Sequence, residues 1–232
     1  MTIKQLINEL KTIKRLGYVT TIRAHHGGVG NTLEHLLGIT ENNLRVPDLG
    51  VVEIKAKRFD SKSMLTLSSR APIPKGVNRI LFEAYKYKRQ GGYKLYSPVK
   101  GSRTNTHGLR VEVKEQKLVL INPNRIEAFW PLEKLDDIFK EKSSQIVLAL
   151  AKTKGKLGGA REKFYYVDAY LLSGLNFKKT QDAIKNDKLK IDIRIGFDLR
   201  GRQAGKYHDH GTGFRIHKKD YLQLFNKVKQ IM

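Results

Sequence analysis

The chain has 232 residues, with 45 Lys+Arg against 22 Asp+Glu and a formal charge of +23, a balance that excludes an acidic, partner-solvating protein. Apolar residues make up 40%, enough for one sizeable core at a length near the top of the single-domain range. Cysteine is absent, which removes disulfide frameworks, thiol nucleophiles and Cys-ligated zinc or iron–sulfur sites and fits a reducing cytoplasm.

In chain order, Ile3, Leu6, Ile7, Leu10 and Ile13 recur at helical spacing, which predicts an amphipathic helix over 2–16 ended by Gly17. No stretch there or elsewhere is long and apolar enough for a signal peptide or a membrane span, so a cytoplasmic protein is expected. Gly27, Gly28 and Gly30 precede a second helix that should start near Asn31 or Thr32, with Glu34 in its first turn. Residues 46–57 read as an extended approach, a bend at Asp48, Leu49 and Gly50, and a strand over 51–56. Further strands are predicted at 65–67, 109–113, 117–121, 145–151, 163–171 and 190–195, and helices at 80–88, 132–140, 178–186 and 220–230. Strands and helices intermix without a repeat period, so the class is α/β or α+β in one unit over 1–232. Two-lobed character would arise from the glycine-rich segments 91–108 and 154–159.

The basic excess concentrates in residues 61–120, with 13 Lys+Arg against 3 Asp+Glu. Lys86, Lys88, Arg89, Lys100 and Arg103 lie among tyrosines and glycines there, the composition of a loop-rich surface for phosphate contacts, and Lys57 adds to it. Double-stranded DNA is the expected partner. The alternatives are a solvated cationic face or an anionic membrane surface, and no cationic amphipathic helix of membrane type supports the second.

The chemistry-bearing constellation is Pro47-Asp48 with Glu53-Ile54-Lys55. Alternation along a strand puts Glu53 and Lys55 on one side and Ile54 in the core. Asp48, across a glycine-containing bend, can bring a second carboxylate to the same place. Two carboxylates and the Ile54 backbone carbonyl beside an ammonium offer the oxygen ligands Mg²⁺ prefers. Phosphodiester hydrolysis needs an activated water and stabilisation of charge on the phosphoryl oxygens, which this set can supply. The sequence carries its own control: Glu112-Val113-Lys114 repeats the alternation without an upstream Asp, and reads as a solvated strand face. That is also the alternative for Glu53 and Lys55.

Pro47-Asp48 followed by Glu53-x-Lys55 resembles the PD-(D/E)xK nuclease motif. Residues 30–37 with Glu41-Asn42-Asn43-Leu44, and later residues 190–196 with His208-Asp209-His210-Gly211-Thr212-Gly213-Phe214-Arg215-Ile216, resemble the MvaI/BcnI restriction endonucleases, which are related to the MutH nickase. The resemblance implies a MutH-like fold, a mixed central sheet flanked by helices, with a catalytic portion around 30–70 and a base-reading segment around 190–216. It implies Mg²⁺-dependent cleavage of double-stranded DNA at a five-base-pair CCNGG-type site by a monomer that nicks one strand and then the other. Mn²⁺ would substitute, Ca²⁺ would support binding without cleavage, and a cognate DNA methyltransferase would be a functional partner without a stable complex. Asp48, Glu53 and Lys55 take the catalytic positions, with Glu34 as an accessory carboxylate. Ser68 and Ser69 after Leu65-Thr66-Leu67 depart from the branch that has a His there, and lean towards an A·T or T·A central pair.

The C-terminal block has its own logic as a base reader. Arg194 and Arg215 each carry a planar fork that matches guanine O6 and N7, and Asp192 or Asp209 can accept from a cytosine amino group. His208 and His210 can donate or accept. A zinc pair at these histidines, or a purely structural role in a tight glycine turn, are the other readings of that motif. Neither Lys152 to Gly159 nor Gly27 to Gly30 has P-loop order, and His25-His26 lacks a nucleophile at triad spacing. Two rivals to the restriction enzyme remain: a partner-dependent MutH-like nickase and a DNA-binding regulator without catalysis.

Overall fold

The computed structural model describes residues 1–39, 52–201 and 204–232, with only the backbone at Lys142 and Ser143. Its elements, in chain order, are α1 (Ile3–Arg15), β1 (Val19–Thr20), α2 (Gly28–Leu36), β2 (Glu53–Arg58), β3 (Leu65–Ser69), α3 (Val77–Tyr85), β4 (Tyr87–Arg89), β5 (Gly92–Val99), β6 (Arg110–Lys114), β7 (Lys117–Ile121), β8 (Phe129–Pro131), α4 (Leu132–Ser143), β9 (Gln145–Lys154), β10 (Lys163–Leu175), α5 (Phe177–Lys185), β11 (Leu189–Asp198), β12 (Tyr207–Asp209), β13 (Gly213–Ile216), α6 (Tyr221–Leu224) and β14 (Phe225–Gln230). The chain forms two compact units: Met1–Ser63 with Lys140–Leu175 and Phe225–Met232, and Met64–Phe139 with Asn176–Leu224. The boundaries between units therefore do not fall in the glycine-rich segments. Among the described residues no helix is long and apolar enough to cross a membrane.

The first unit is built on a mixed sheet in the order β1-β10-β9-β2, with β14 also pairing with β10. Among the described strands of this sheet only β2 and β9 run parallel. Thr2 caps α1 in a reciprocal capping box with Gln5, which satisfies two backbone donors at the helix start. The buried Leu6, Leu10 and Ile13 of α1 and Val29 and Leu33 of α2 pack with Ile54, Val147, Ala149, Phe164 and Tyr166 on one face of the sheet. The second helix begins at Gly28 rather than Asn31. A Cβ on Gly28 would stand 2.5 Å from the Arg23 carbonyl oxygen and 2.6 Å from Thr21 Oγ1, so this glycine serves close approach inside the helix start and does not delay it.

One buried ion pair binds three segments of this unit. Arg58, at the end of β2, donates from Nε and Nη2 to the two carboxylate oxygens of Glu162 at 2.7 and 2.6 Å, and from Nη1 to the His26 carbonyl at 3.1 Å. Glu162 is 1% exposed and also accepts from the Gly158 N–H. The Arg58 guanidinium holds the Glu162 carboxyl below its ordinary value of 4.5, against the opposing effect of burial. A carboxyl lowered in the folded state contributes stability that is present above the unfolded value and is lost as pH falls through the folded one. Arg58→Ala leaves Glu162 buried and unpaired and should cost about 3–5 kcal/mol near neutral pH. Thermal unfolding of the two proteins measured from pH 7 downward should show that difference shrinking in acid.

The second unit holds an antiparallel sheet in the order β3-β13-β11-β5-β4, with β12 on the far half of β11, and a separate three-stranded sheet β6-β7-β8. Leu95, Val99, Ile191, Ile193, Ile195 and Phe214 fill the apolar side, and Trp130 and Phe139 meet the Phe214 ring edge-on at 6.0 and 5.4 Å between centroids.

Three expected elements are corrected here. The helix placed at 80–88 is α3, Val77–Tyr85, because Val77 continues the buried Leu81, Phe82 and Tyr85 stripe and Lys86 is already extended. Within 91–108, read as loop, β5 is a long central strand whose buried Leu95, Ser97 and Val99 alternate with Lys94 and Tyr96. The helix placed at 220–230 survives only as one turn, α6, and Phe225 onward pairs with β10 as β14. An open sheet edge overrode the helical spacing there.

Candidate functional site

In the first unit, the alternation of β2 separates its side chains by chemistry. Ile54 and Ala56 enter the core. Glu53, Lys55 and Lys57 project from the opposite face, level with Ile146, Leu148 and Leu150 of β9. Lys55 Nζ donates to Glu53 Oε1 at 2.9 Å. Glu53 is 9% exposed, and its Oε2 is buried with no hydrogen-bond partner among the described residues. A carboxylate oxygen withdrawn from water without a partner costs stability, and it is the hard donor a Mg²⁺-sized cation takes. The residues present therefore fit an oxygen-ligated divalent cation. Asp48, the second expected ligand, lies outside the described residues.

Glu34 is on α2, with Oε1 3.9 Å from the position a Cβ on Gly30 would take. Its charge, after burial, pushes the Tyr166 phenol up, and that phenol donates to the Val29 carbonyl at 2.8 Å. Lys57 donates to the Ser63 carbonyl. In the internal control Glu112 is half-exposed and sits 3.0 Å from Arg110 and 3.7 Å from Lys114.

In the second unit, the polar face of β11 gathers most of the expected reading residues. Asp192, Arg194 and Gly196 share that face, with Gly213 opposite Asp192 and Arg215 opposite Lys190 on β13. Arg215 Nη1 donates to Asp192 Oδ2, and Nη2 to the Met64 carbonyl at 3.1 Å. Arg194 Nη2 donates to the His210 carbonyl at 3.0 Å. A Cβ on Gly213 would stand 3.2 Å from Arg194 Nη2 and 3.3 Å from Arg215 Cγ, so the glycine makes room for both side chains. Nε of each arginine is buried without a partner among the described residues. Burial, then the neighbouring Arg215, lower the Arg194 value, and the guanidinium stays charged.

His208 lies across from Gly196, with Nε2 3.3 Å from Asp198 Oδ2, inside ion-pair range but without hydrogen-bond alignment. Lys94 pairs with the same Asp198 at 2.5 Å. The His210 ring meets Tyr96 edge-on at 6.3 Å, and burial followed by the Arg194 charge lowers its value below the ordinary 6.5, in favour of the neutral ring. Asp209 is level with Ile195 on the other face of the sheet. Its carboxylate accepts from Asn78 Nδ2 at 2.7 Å and the Gly211 N–H at 2.8 Å, so it is not gathered with Asp192.

Of the basic belt, Lys86 pairs with Glu83, which raises its value. Lys88 and Arg89 are exposed on β4. The segment carrying Lys100 and Arg103 is shaped by Asp187, whose carboxylate accepts from the Gly101 and Ser102 N–H groups and from Ser102 Oγ. Sequence reasoning missed the Lys94–Asp198–His208 group and the Asn78–Asp209 bond. Lys94 lies 104 residues from Asp198 and meets it across strand register, and Asn78, on α3, lies 131 residues from Asp209, so no local spacing marks those two contacts, while His208 approaches Asp198 from ten residues along the chain.

The family model described as the MvaI/BcnI restriction endonuclease family matches residues 7–225. Among solved structures, a complex of restriction endonuclease MvaI with its cognate DNA substrate is 29% identical with a TM-score of 0.88, and both chains are covered in full. MvaI in the absence of DNA is 29% identical with a TM-score of 0.55, covering 100% of this chain and 99% of that one. No curated protein sequence matches the chain.

Proposed function

The chain belongs to the MvaI/BcnI restriction endonuclease family and is a site-specific enzyme that cleaves DNA; from that premise we propose Mg²⁺-dependent hydrolysis of duplex DNA at a CCNGG-type pentanucleotide. The central pair is restricted, with Ser68 and Ser69 leaning it towards A·T or T·A, and a monomer nicks the two strands in turn. A cognate methyltransferase protects the host site without a stable complex.

The observation that carries the catalytic assignment is Glu53 Oε2, buried without a partner among the described residues, on a carboxylate held beside Lys55. Glu53 and Asp48, with the Ile54 carbonyl, would hold the cation. When bound, a divalent cation supplies a water of lowered pKa and neutralises charge on the phosphoryl oxygens. Lys55, fixed by Glu53 Oε1, directs its remaining N–H groups at the attacking water and the phosphoryl oxygens. Glu34 is the accessory carboxylate. In the reading unit, Arg194 and Arg215 address guanine O6 and N7, and Asp192 accepts from a cytosine amino group. His208 and His210 read further base edges, and Asp209 stiffens the turn that carries His210. Lys57, Lys86, Lys88, Arg89, Lys100 and Arg103 contact phosphates.

Digestion of a mapped plasmid, followed by sequencing of the ends, tests this reading. Discrete fragments ending at CCNGG-type sites are expected with Mg²⁺ or Mn²⁺, and none with EDTA or Ca²⁺. Nicking that appears only when an activator protein is added would instead identify the partner-dependent nickase.

A further inference from the structure

The face of the first unit that carries Glu53 and Lys55 does not end with them. Along β9 the same side of the strand continues through Ile146, Leu148 and Leu150, which are buried at 0%, 1% and 3% exposure, to Lys152 and Lys154, which are exposed, since side chains two apart share a face. Glu53, Lys55 and Lys57 stand level with the first three of these. Across the next ladder, Lys154 is directly opposite Lys163 and Lys152 opposite Tyr165. Lys55, Lys57, Lys152 and Lys154 thus rise in steps of two residues, about 6.7 Å each, comparable to the separation of successive phosphates along one strand.

Like charges directly opposite in an antiparallel ladder are destabilising, yet Lys154 and Lys163 occupy such a pair. Both are exposed, as is Lys152, and Lys154 Nζ is braced 4.3 Å from the Tyr18 ring centroid. The acid nearest in sequence, Glu162, faces the other way into its buried pair with Arg58. Asp168, level with Leu150, is the acid that the described strands add to this face beyond Glu53, and Gln230 donates to it.

We propose that Lys152, Lys154 and Lys163 form a phosphate-tracking strip that holds duplex DNA flanking the recognised site. The inference rests on Glu53 and Lys55 being the hydrolytic centre. Lys154 is eight residues along β9 from the level of Glu53, about 27 Å at strand rise. Five base pairs extend about 17 Å along the duplex axis, so a duplex that follows the accessible line from Lys55 and Lys57 of β2 to Lys152 and Lys154, beside the covered Ile146, Leu148 and Leu150, meets these lysines outside a pentanucleotide.

The test compares the wild-type protein with Lys152→Gln/Lys154→Gln/Lys163→Gln. Binding is measured with Ca²⁺ over a range of salt, on a duplex just longer than the site and on one extended by about 10 base pairs at each end. The slope of log K against log salt should fall by about 0.9 per lysine removed, roughly 2.7 in all. The affinity gained from the longer duplex should shrink with it. In cleavage, KM should rise with kcat kept, the mark of contacts made equally in ground and transition states. Lys154→Arg/Lys163→Arg should keep the wild-type slope. Should the triple variant not fold, Lys152→Gln alone reads the same slope, by about 0.9. An unchanged slope and an unchanged gain from the flanks would overturn the strip. Because binding is read without cleavage, a wild-type protein that bound but did not cut under Mg²⁺ would count against the hydrolytic centre separately.

Discussion

Glu53→Gln should abolish cleavage, by about 10³-fold or more, while specific binding to the duplex survives. The amide keeps the shape of the carboxylate but has one oxygen in place of two, so it can accept from Lys55 or face the cation but not both, and it brings no negative charge to either. Loss of cation ligation removes several kcal/mol of transition-state stabilisation, and each 1.36 kcal/mol is tenfold in rate. A second readout separates a catalytic carboxylate from a structural one. Glu53 Oε2 is buried without a partner among the described residues, so its charge is a cost in the free protein. Neutralising it should leave the melting temperature unchanged or raise it. An ordinary strand-face ion pair would give the opposite pattern, with modestly lower stability and intact cleavage.

Arg215→Ala should act on stability and specificity together. Asp192 is 5% exposed and pairs with the Arg215 guanidinium. Removing the arginine leaves a buried carboxylate uncompensated, a loss of about 3–5 kcal/mol for a fully buried pair. Arg215 is about a fifth exposed, so solvent screening discounts this, and a value near the lower end, roughly 3 kcal/mol, is expected. In DNA binding, the loss should be concentrated at one G·C pair, with discrimination there weakened by about 1–3 kcal/mol. The double variant Arg215→Ala/Asp192→Asn should recover stability without recovering discrimination, since it removes the orphaned charge but not the missing fork. Equal weakening on all sequences would make Arg215 a phosphate contact.

What was legible in the sequence was local. Period-two alternation placed Glu53 and Lys55 on one face with Ile54 in the core, and β2 has that arrangement. The second copy of the alternation, Glu112 and Lys114, lies on a half-exposed strand face where Glu112 pairs with Arg110 and Lys114. The stripe at Leu6, Leu10 and Ile13 read directly as α1. What failed was non-local. β5 looked like loop because its glycines and tyrosines carry little apolar signal, and only pairing with β11 on one side and β4 on the other makes it a strand. Residues 225–230 have spacing compatible with a helix, and the free side of β10 decided otherwise. The reading face shows the same limit. Arg194 and Arg215 were nameable as guanine-type forks, but their convergence over Gly213, and the turning of Asp209 to the other face, depend on strand register that no short motif encodes.

The most direct test of the account is where a divalent cation binds. Crystals of the full chain with a duplex containing its site, grown with Mn²⁺, locate the ion by anomalous scattering. The account predicts a peak about 2.0–2.2 Å from Glu53 Oε2, at the distance of a hard divalent ion from a carboxylate oxygen, with Asp48 completing the site and Lys55 alongside. A peak at His208 and His210 instead, or none near Glu53 in crystals whose duplex is bound, would contradict it.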